Sequence, residues 1–349
     1  MPVQRFLPLV ATLVAMPVCA EDLFFSELPV VASVSRLPQR IADAPASVTV
    51  IDRDMIRASG ARSLNDIFRL VPGFQTFAHS DTSARVNYHG ITDHNDYSPR
   101  VQVLLDGRSL HSPLFRNGVN WGLIPVALED IERIEVVRGS NTVSYGTNAF
   151  LGVINIITVD PSLVQGGSVA INRGTQGVRD HTLRVGQSFG EGGAFRLTYQ
   201  EVRDDGLEDD YDWQDRFRNR RLDLRVDQYL TNRDLLEMNF GFVQGESIRG
   251  RLDDGLFPLK VSEGDDPIRR LDESSAWMQL KWTRTLSNDE DMVFRYVLQE
   301  DRGDDSFRYL GKKYNQAGEK GWRQELEFQH RLSPVTDVRM VWGGWLAKR

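Results

Sequence analysis

The sequence predicts an α+β domain, a small mixed sheet with short helices, followed by antiparallel transmembrane β-barrel strands that do not complete a barrel. Three observations carry this. The chain opens on an export leader. The stretch Asp130 to Thr158 is a series of short β-rich runs punctuated by Gly139, Gly146 and Gly152. Beyond it, charged residues occupy every second position of long apolar runs. A small domain joined in this way to hairpins, in an exported chain, suggests a globular unit held inside a membrane barrel.

Residues 1–20 have the three-part layout of a secretory signal peptide: Arg5, an apolar run from Phe6 to Met16, then Val18-Cys19-Ala20 before Glu21-Asp22, with cleavage expected after Ala20. Pro8 and Pro17 make it a poor membrane helix, and it is shorter than the ~20 apolar residues a span requires. Cys19 is the only cysteine, so the mature chain offers no disulfide, thiol nucleophile or thiolate metal site. No later stretch is apolar enough for a membrane helix. A closed β-barrel is then the only way to cross, because lipid offers backbone groups no partner. The net charge of -7 disfavours nucleic-acid binding, which draws on basic surface.

The chain divides into the leader (1–20), an N-terminal segment (21–43), the α+β domain (44–160) and the partial barrel (161–349, about nine strands). Ser47–Ile51 reads as a strand. Asp52 caps a helix that runs to Ser59, with Gly60 ending it in the left-handed conformation. Ser63 caps a second helix with Leu64, Ile67, Phe68 and Val71 at helical spacing, and Asp66 stands where a capping box would carry Glu. Pro72-Gly73 stops it. Strands follow at Arg85–His89 and Val101–Asp106, a tight turn at Asp106-Gly107, a helical turn over Pro125–Asp130, and strands at Arg133–Arg138 and Val153–Thr158.

After Thr158 the period becomes two. Leu183, Val185 and Phe189 oppose Thr182, Arg184 and Ser188. Phe195, Leu197 and Tyr199 oppose Arg196, Thr198 and Gln200. Leu222, Leu224 and Val226 oppose Asp223, Arg225 and Asp227, and the pattern recurs over Leu236–Phe242 and Met292–Gln299. This suits lipid outside and a polar lumen. A half-exposed soluble sheet alternates in the same way, but it has no reason to sort its connections. Here Gly190–Gly193, Leu230–Arg233, Leu286–Glu290 and Leu332–Thr336 are short, while Arg203–Asn219, Glu246–Glu273 and Gly303–Lys320 are long and polar. Short periplasmic turns and long external loops are the habit of outer-membrane barrels.

Five phrases then resemble, in order, the plug of TonB-dependent outer-membrane receptors: Ala44–Asp52, Leu70–Phe74, Val103–Arg108, Ile131–Gly139 and Tyr145–Thr158. The remainder resembles the start of their barrel, with about nine strands where the family has about 22. An odd strand number leaves open edges that lipid does not tolerate, so a fragment or a truncated product is expected.

The resemblance implies a Gram-negative outer-membrane location and energised uptake of a scarce solute. A ferric siderophore or other iron complex is expected ahead of haem or cobalamin. The alternative is a truncated, non-transporting remnant that keeps the plug. Leu28, Pro29, Val30, Val31 and Ala32 resemble a TonB box that would add a strand to TonB, the arm of an inner-membrane energising complex. No nucleotide-binding loop occurs, so the energy would come from that partner. Outward plug loops Gln75–Ala84 and Ser109–Val119 offer His79, Ser80, Asp81 and Thr82, and His111, Phe115, Arg116 and Asn117, to the solute. Thr92–Pro99, with His94, would face the periplasm. Glu132, Arg133, Glu135 and Arg138 are implied as ionic contacts between plug and barrel wall.

No cofactor is expected, and the histidines lack metal-motif spacing. The acidic loop with Asp204, Asp205, Glu208, Asp209, Asp210, Asp212 and Asp215 lacks an EF-hand pattern. No catalytic constellation stands out, so an enzyme is not expected. The expected partners are therefore TonB, the solute and outer-membrane lipid.

Overall fold

The structure is a computed structural model that describes residues 30–31, 34–37, 39–77, 85–91, 100–114, 118–206, 215–249, 269–309, 312–315, 317–335 and 338–349. The leader, Leu28, Pro29, Ala32, His79, Ser80, Asp81, Thr82, Phe115, Arg116, Asn117, the segment 92–99 and residues 207–214 of the acidic loop lie outside the described residues.

At the start, β1 (Val30–Val31) pairs antiparallel with β2 (Gln39–Arg40). Then come β3 (Ser47–Asp52), α1 (Arg53–Ala58) and α2 (Leu64–Ile67), followed by the hairpin of β4 (Phe74–Phe77) and β5 (Arg85–Tyr88). β6 (Val101–Leu105), β7 (Arg108–Ser109), β8 (Ile131–Arg138), α3 (Thr142–Tyr145) and β9 (Gly152–Thr158) complete the first unit. Its five-stranded sheet has the order β3-β8-β9-β6-β7. Only β6 and β9 run parallel, so the sheet is mixed.

The local signals explain these elements. Asp52 Oδ1 accepts from the Met55 N–H at 2.8 Å, the expected cap of α1. Asp106 (φ 47) and Gly107 (φ 80) turn β6 into β7, both in the left-handed region that such a two-residue hairpin demands. The second helix departs from expectation. The Ser63 hydroxyl donates to Asp66 Oδ2 at 2.6 Å instead of capping backbone, and after Ile67 the chain tightens into a 3-10 turn over Phe68–Leu70. Shortening Glu to Asp removes the reach that a capping box requires. β4 also falls where a loop is expected. Phe74 draws it inward, stacking on Phe68 at 5.8 Å and meeting Tyr88 at 4.7 Å. The core lies on one sheet face, with Ile51, Ile56, Phe68, Ile134, Ile154 and Ile156 at its centre. A smaller cluster of Val34, Leu104, Val137, Ala149 and Val153 covers the other face.

The second unit is one sheet of nine antiparallel strands: β10 (Gly166–Arg173), β11 (Arg179–Phe189), β12 (Gly193–Asp204), β13 (Phe217–Thr231), β14 (Asp234–Arg249), β15 (Arg269–Ser287), β16 (Glu290–Asp304), β19 (Lys320–Val335) and β20 (Val338–Lys348). Within the long connection from Asp304 to Lys320, β17 (Ser306–Tyr309) and β18 (Lys312–Asn315) form a small hairpin where an unstructured loop is expected. Among the described residues the sheet does not close, and β10 and β20 are its edges.

Burial in this sheet is inverted relative to a water-soluble fold. Apolar Leu183 is 54% exposed, whereas Arg196 is 0% exposed. The outer face presents Val185, Leu222, Phe240 and Phe294, while the inner face buries Thr198, Gln200, Asp223, Asn239 and Gln299 against the first unit. Period-two alternation thus separates a lipid face from a lumen face, as a membrane barrel requires. A cross-strand aromatic row, Trp282–Phe294–Phe328–Trp342, runs along the outer face near the short turns. Its ring centroids are 4.8–5.4 Å apart.

Candidate gate between plug and barrel wall

The first unit sits inside the curve of the nine strands, and inward-pointing arginines hold it there. The grip concentrates on the two ends of Asp130–Thr158. A 3-10 turn over Leu128–Asp130 leads into β8 and leaves the Glu129 carbonyl facing the wall. Arg184 Nη1 donates to the Glu129 carbonyl at 2.8 Å, and Arg221 donates to that of Val126. The Asp130 carboxylate is 0% exposed and accepts no hydrogen bond. It faces two guanidiniums, Arg196 Nε at 3.5 Å and Arg184 Nη1 at 3.6 Å. Arg196 also donates to the Val159 carbonyl at 2.7 Å and to Asp223 Oδ1 at 2.9 Å. The Val159 N–H returns a bond to the Asp130 carbonyl at 2.8 Å, which closes the loop between the two ends of the stretch.

At the other end, Thr158 ties three elements together. Its N–H donates to Asp106 Oδ1 at 2.9 Å and its hydroxyl to Asp106 Oδ2 at 2.7 Å. Arg225 Nη1 on the wall donates to the same hydroxyl at 2.9 Å, while Arg225 Nη2 reaches Asp227 at 2.8 Å and Glu237 at 3.4 Å. Gln279 donates to the Asp106 carbonyl at 3.0 Å. Glycine at 107 is favoured by its φ of +80°, and a Cβ there would also displace the Arg295 guanidinium.

Further anchors flank this centre. Arg62, after α1, donates to both oxygens of Asp180 at 2.9 and 3.1 Å and to Asp204 at 2.7 Å, clamping the start of β11 to the end of β12. Burial alone would lower the Arg62 pKa. The hydrogen bonds to Asp180 and Asp204 outweigh it and hold this guanidinium above its ordinary value. Near β1, Arg36 pairs with Glu327 of the wall, which also takes Arg295, and stands 4.6 Å over the Tyr145 ring. Burial pushes the Tyr145 phenol up to about 12, so it stays protonated. At the β7 end, Arg108 packs over Trp277 at 4.8 Å and donates to Gln299 at 3.3 Å. Burial, with the like charge of Arg323 added, pushes Arg108 down to about 10, still charged at neutral pH. Leu123, Val243 and Trp277 form an apolar contact between plug and wall.

The residues singled out from sequence fall as follows. Val30 and Val31 lie in β1, with Val31 fully buried and its strand paired on one side with β2. Among the solute-loop residues, His111 alone is described. It is 1% exposed, and its carbonyl together with that of Ser109 takes the Arg323 guanidinium, so this segment is drawn against the wall and away from the open lumen. Ser112 beside it bonds Asp301. Of the four motif charges, Arg133 donates to Glu135 at 2.9 Å and Arg138 to Ser47 at 2.6 Å, both within the plug sheet. Glu132 and Arg133 also line a cleft of about 500 Å³ that Arg225, Glu237, Arg295 and Glu327 border from the wall. Direct bonds from plug to wall run through Asp106, Asp130, Thr158 and backbone carbonyls, and through Arg36, Arg62, Arg108 and Ser112. Arg184, Arg196 and Arg225 were legible as lumen-facing by alternation, but what they would touch was not. No group of three or more metal-ligating side chains occurs among the described residues.

Residues 40–153 match the TonB-dependent Receptor Plug Domain family. The vitamin B12 transporter BtuB of Vibrio vulnificus is 31% identical over 168 residues, which cover 48% of this chain and 27% of that protein. The iron-regulated outer membrane virulence protein of Vibrio cholerae is 32% identical over 158 residues, covering 44% of this chain and 23% of that protein. The ferric yersiniabactin uptake receptor FyuA from Yersinia pestis shares the fold with a TM-score of 0.67 at 17% identity, covering 86% of this chain and 48% of that one. The matched regions thus amount to about a quarter of these curated relatives and about half of the solved receptor. Residues 40–153 thus carry a TonB-dependent receptor plug domain, and the strands that follow share the fold of the barrel wall of these receptors.

Proposed function

We propose that the chain serves energised uptake of a scarce metal-chelate solute across the outer membrane, the plug blocking the lumen until TonB remodels it. The observation that carries this is how the plug is held. Among the described residues its wall contacts are mostly charge-assisted hydrogen bonds and ion pairs, through Arg36, Arg62, Asp130, Thr158 and backbone carbonyls, with one small apolar cluster. Such an interface fixes register yet yields to water entering it, unlike a fused hydrophobic core. The relatives named for vitamin B12 and iron regulation, and a structural neighbour that takes a ferric siderophore, support a metal chelate as the solute class. A ferric siderophore or similar iron complex remains the first reading, with cobalamin the alternative within it.

TonB would engage Leu28–Ala32 by strand addition. Among the described residues β1 pairs only with β2, so the reading is strand addition along its second edge. Val31→Pro removes a donor from that ladder. Uptake of the solute is expected to fall to background while its binding to cells persists; retained uptake would sink the box assignment. Growth of a deletion strain on single iron, haem or cobalamin sources identifies the solute, and equal growth on all three counts against these classes.

The alternative reading is a truncated, plug-bearing remnant that does not transport. Solute flux from the chain expressed alone separates the two.

A further inference from the structure

The two arms of the plug loop 109–119 meet wall strands β15 and β16 around a small cavity of about 30 Å³. Its lining is mixed. Leu110 and Leu123 supply apolar surface, while Arg108, Asn120, Ser275 and Asp301 supply polar groups.

Two of these polar side chains are buried beyond nine-tenths, and each keeps a donor that meets no acceptor among the described residues. Arg108 is 2% exposed; its Nη1 donates to Gln299 Oε1 at 3.3 Å, and its Nη2 is unpartnered. Asn120 is 8% exposed. Its Oδ1 accepts from the Gly122 N–H at 3.1 Å, which fixes the orientation of the amide and leaves Nδ2 unpartnered. Asp301 borders the same space. Its carboxylate accepts from the Ser112 hydroxyl and from Gln299 Nε2 at 3.0 Å, and it has lone pairs to spare.

A buried donor without an acceptor is costly, and here two of them border one cavity beside a carboxylate. An apolar cavity stays dry, but a polar one of this size holds about one or two waters, each with about two to four partners. A small anion would suit the two donors and would then face Asp301. Water suits the whole set, because it accepts from one group and donates to another.

We propose that this cavity is a hydration site in which water accepts from Arg108 Nη2 and Asn120 Nδ2 and donates to Asp301, joining both arms of the plug loop to β16 of the wall. The inference rests on the seating of the plug in the wall and on no choice of solute. A bridging water is nearly as good as a direct hydrogen bond and remains exchangeable, so the joint holds the loop in register without fusing it to the wall. It meets one donor of Arg108 and does not restore the hydration of the guanidinium, which stays a desolvated charge.

The test is radiolytic hydroxyl labelling of the full chain folded in detergent, since an X-ray pulse makes radicals from bound as well as bulk water. Side-chain oxidation is read by mass spectrometry. Leu110 and Leu123, at 6% and 7% exposure, border the cavity, whereas Leu64, at 4%, does not. Both cavity leucines are expected to oxidise severalfold more than Leu64. Ser275→Val puts methyl groups into the cavity and should bring both down to the level of Leu64. Asn120→Ser keeps a cap oxygen for Gly122, widens the polar space and should leave the labelling in place. Far-UV circular dichroism checks the strand content of each variant, and the contrast within the unmodified chain decides if a variant does not fold. Oxidation of Leu110 and Leu123 no greater than that of Leu64 overturns the proposal, as does labelling that Ser275→Val leaves unchanged. An anomalous peak in the cavity after a bromide soak of crystals would assign the site to an anion and overturn the water assignment. The readout involves no transport, so its failure is distinct from failure of the uptake reading.

Discussion

Arg196 of the barrel wall and Asp130 of the plug face each other at 3.5 Å with neither side chain exposed. The carboxylate has given up water without gaining a hydrogen bond, so its charge is balanced by Arg196 and by Arg184 at 3.6 Å, with Arg53 and Arg221 adding to the field. Removing one partner from such a buried group strands the others.

Asp130→Asn should therefore loosen the plug. Deleting one member of a buried ion pair costs about 3–5 kcal/mol because the remaining charge has no compensation. Limited proteolysis of the folded protein in detergent reads this as faster cleavage within 100–160. An unchanged cleavage rate would show that Arg196 and Arg184 are satisfied by Asp223 and the plug carbonyls alone.

Thr158→Val keeps the shape and removes the hydroxyl that donates to Asp106 and accepts from Arg225. The loss expected is about 1–3 kcal/mol, since two buried polar groups lose a partner. Hydrogen exchange at the Asp106-Gly107 turn and at the start of β7 should accelerate. Exchange that speeds up only elsewhere in the plug would count against Thr158 as the tie.

Gly107→Ala imposes a left-handed residue with a Cβ directed at Arg295. Backbone strain of this kind costs about 1–3 kcal/mol, before any displacement of Arg295 from Glu327. Thermal unfolding should begin at lower temperature; a melting curve superimposable on the parent's would refute the close approach.

Arg108→Met runs the other way. Arg108 is buried, its Nη2 has no hydrogen-bond partner, and the like charge of Arg323 is close. A long apolar side chain can keep the packing on Trp277 while removing a desolvated charge. Stability is expected to stay level or rise by about 1–2 kcal/mol, as when buried ionic groups are replaced by apolar ones. Marked destabilisation in denaturant titration would mean that Arg108 contributes more through Gln299 than its 3.3 Å bond implies.

Much of the architecture was legible because its signals are local. Strand faces follow from alternation, and the hairpins close at Phe189/Gly193, Thr231/Asp234 and Ser287/Glu290, where short connections were expected. The Asp52 cap and the Asp106-Gly107 turn depend on neighbouring residues, so their chemistry could be read in place. The β17–β18 hairpin was missed because it is short and lies in a long polar connection, although Phe307 and Tyr314, stacked across it, mark its apolar face.

The sequence by itself determined a plug followed by lipid-facing strands, and it put arginines on the lumen side. Which groups those arginines hold was decided by tertiary structure alone. Arg184, Arg196, Arg221 and Arg323 donate largely to the carbonyls of Glu129, Val159, Val126 and His111. A carbonyl oxygen belongs to every residue alike, so no side-chain pattern announces it. Strand register and the seating of one unit in the other select the partner, and both are properties of the whole fold.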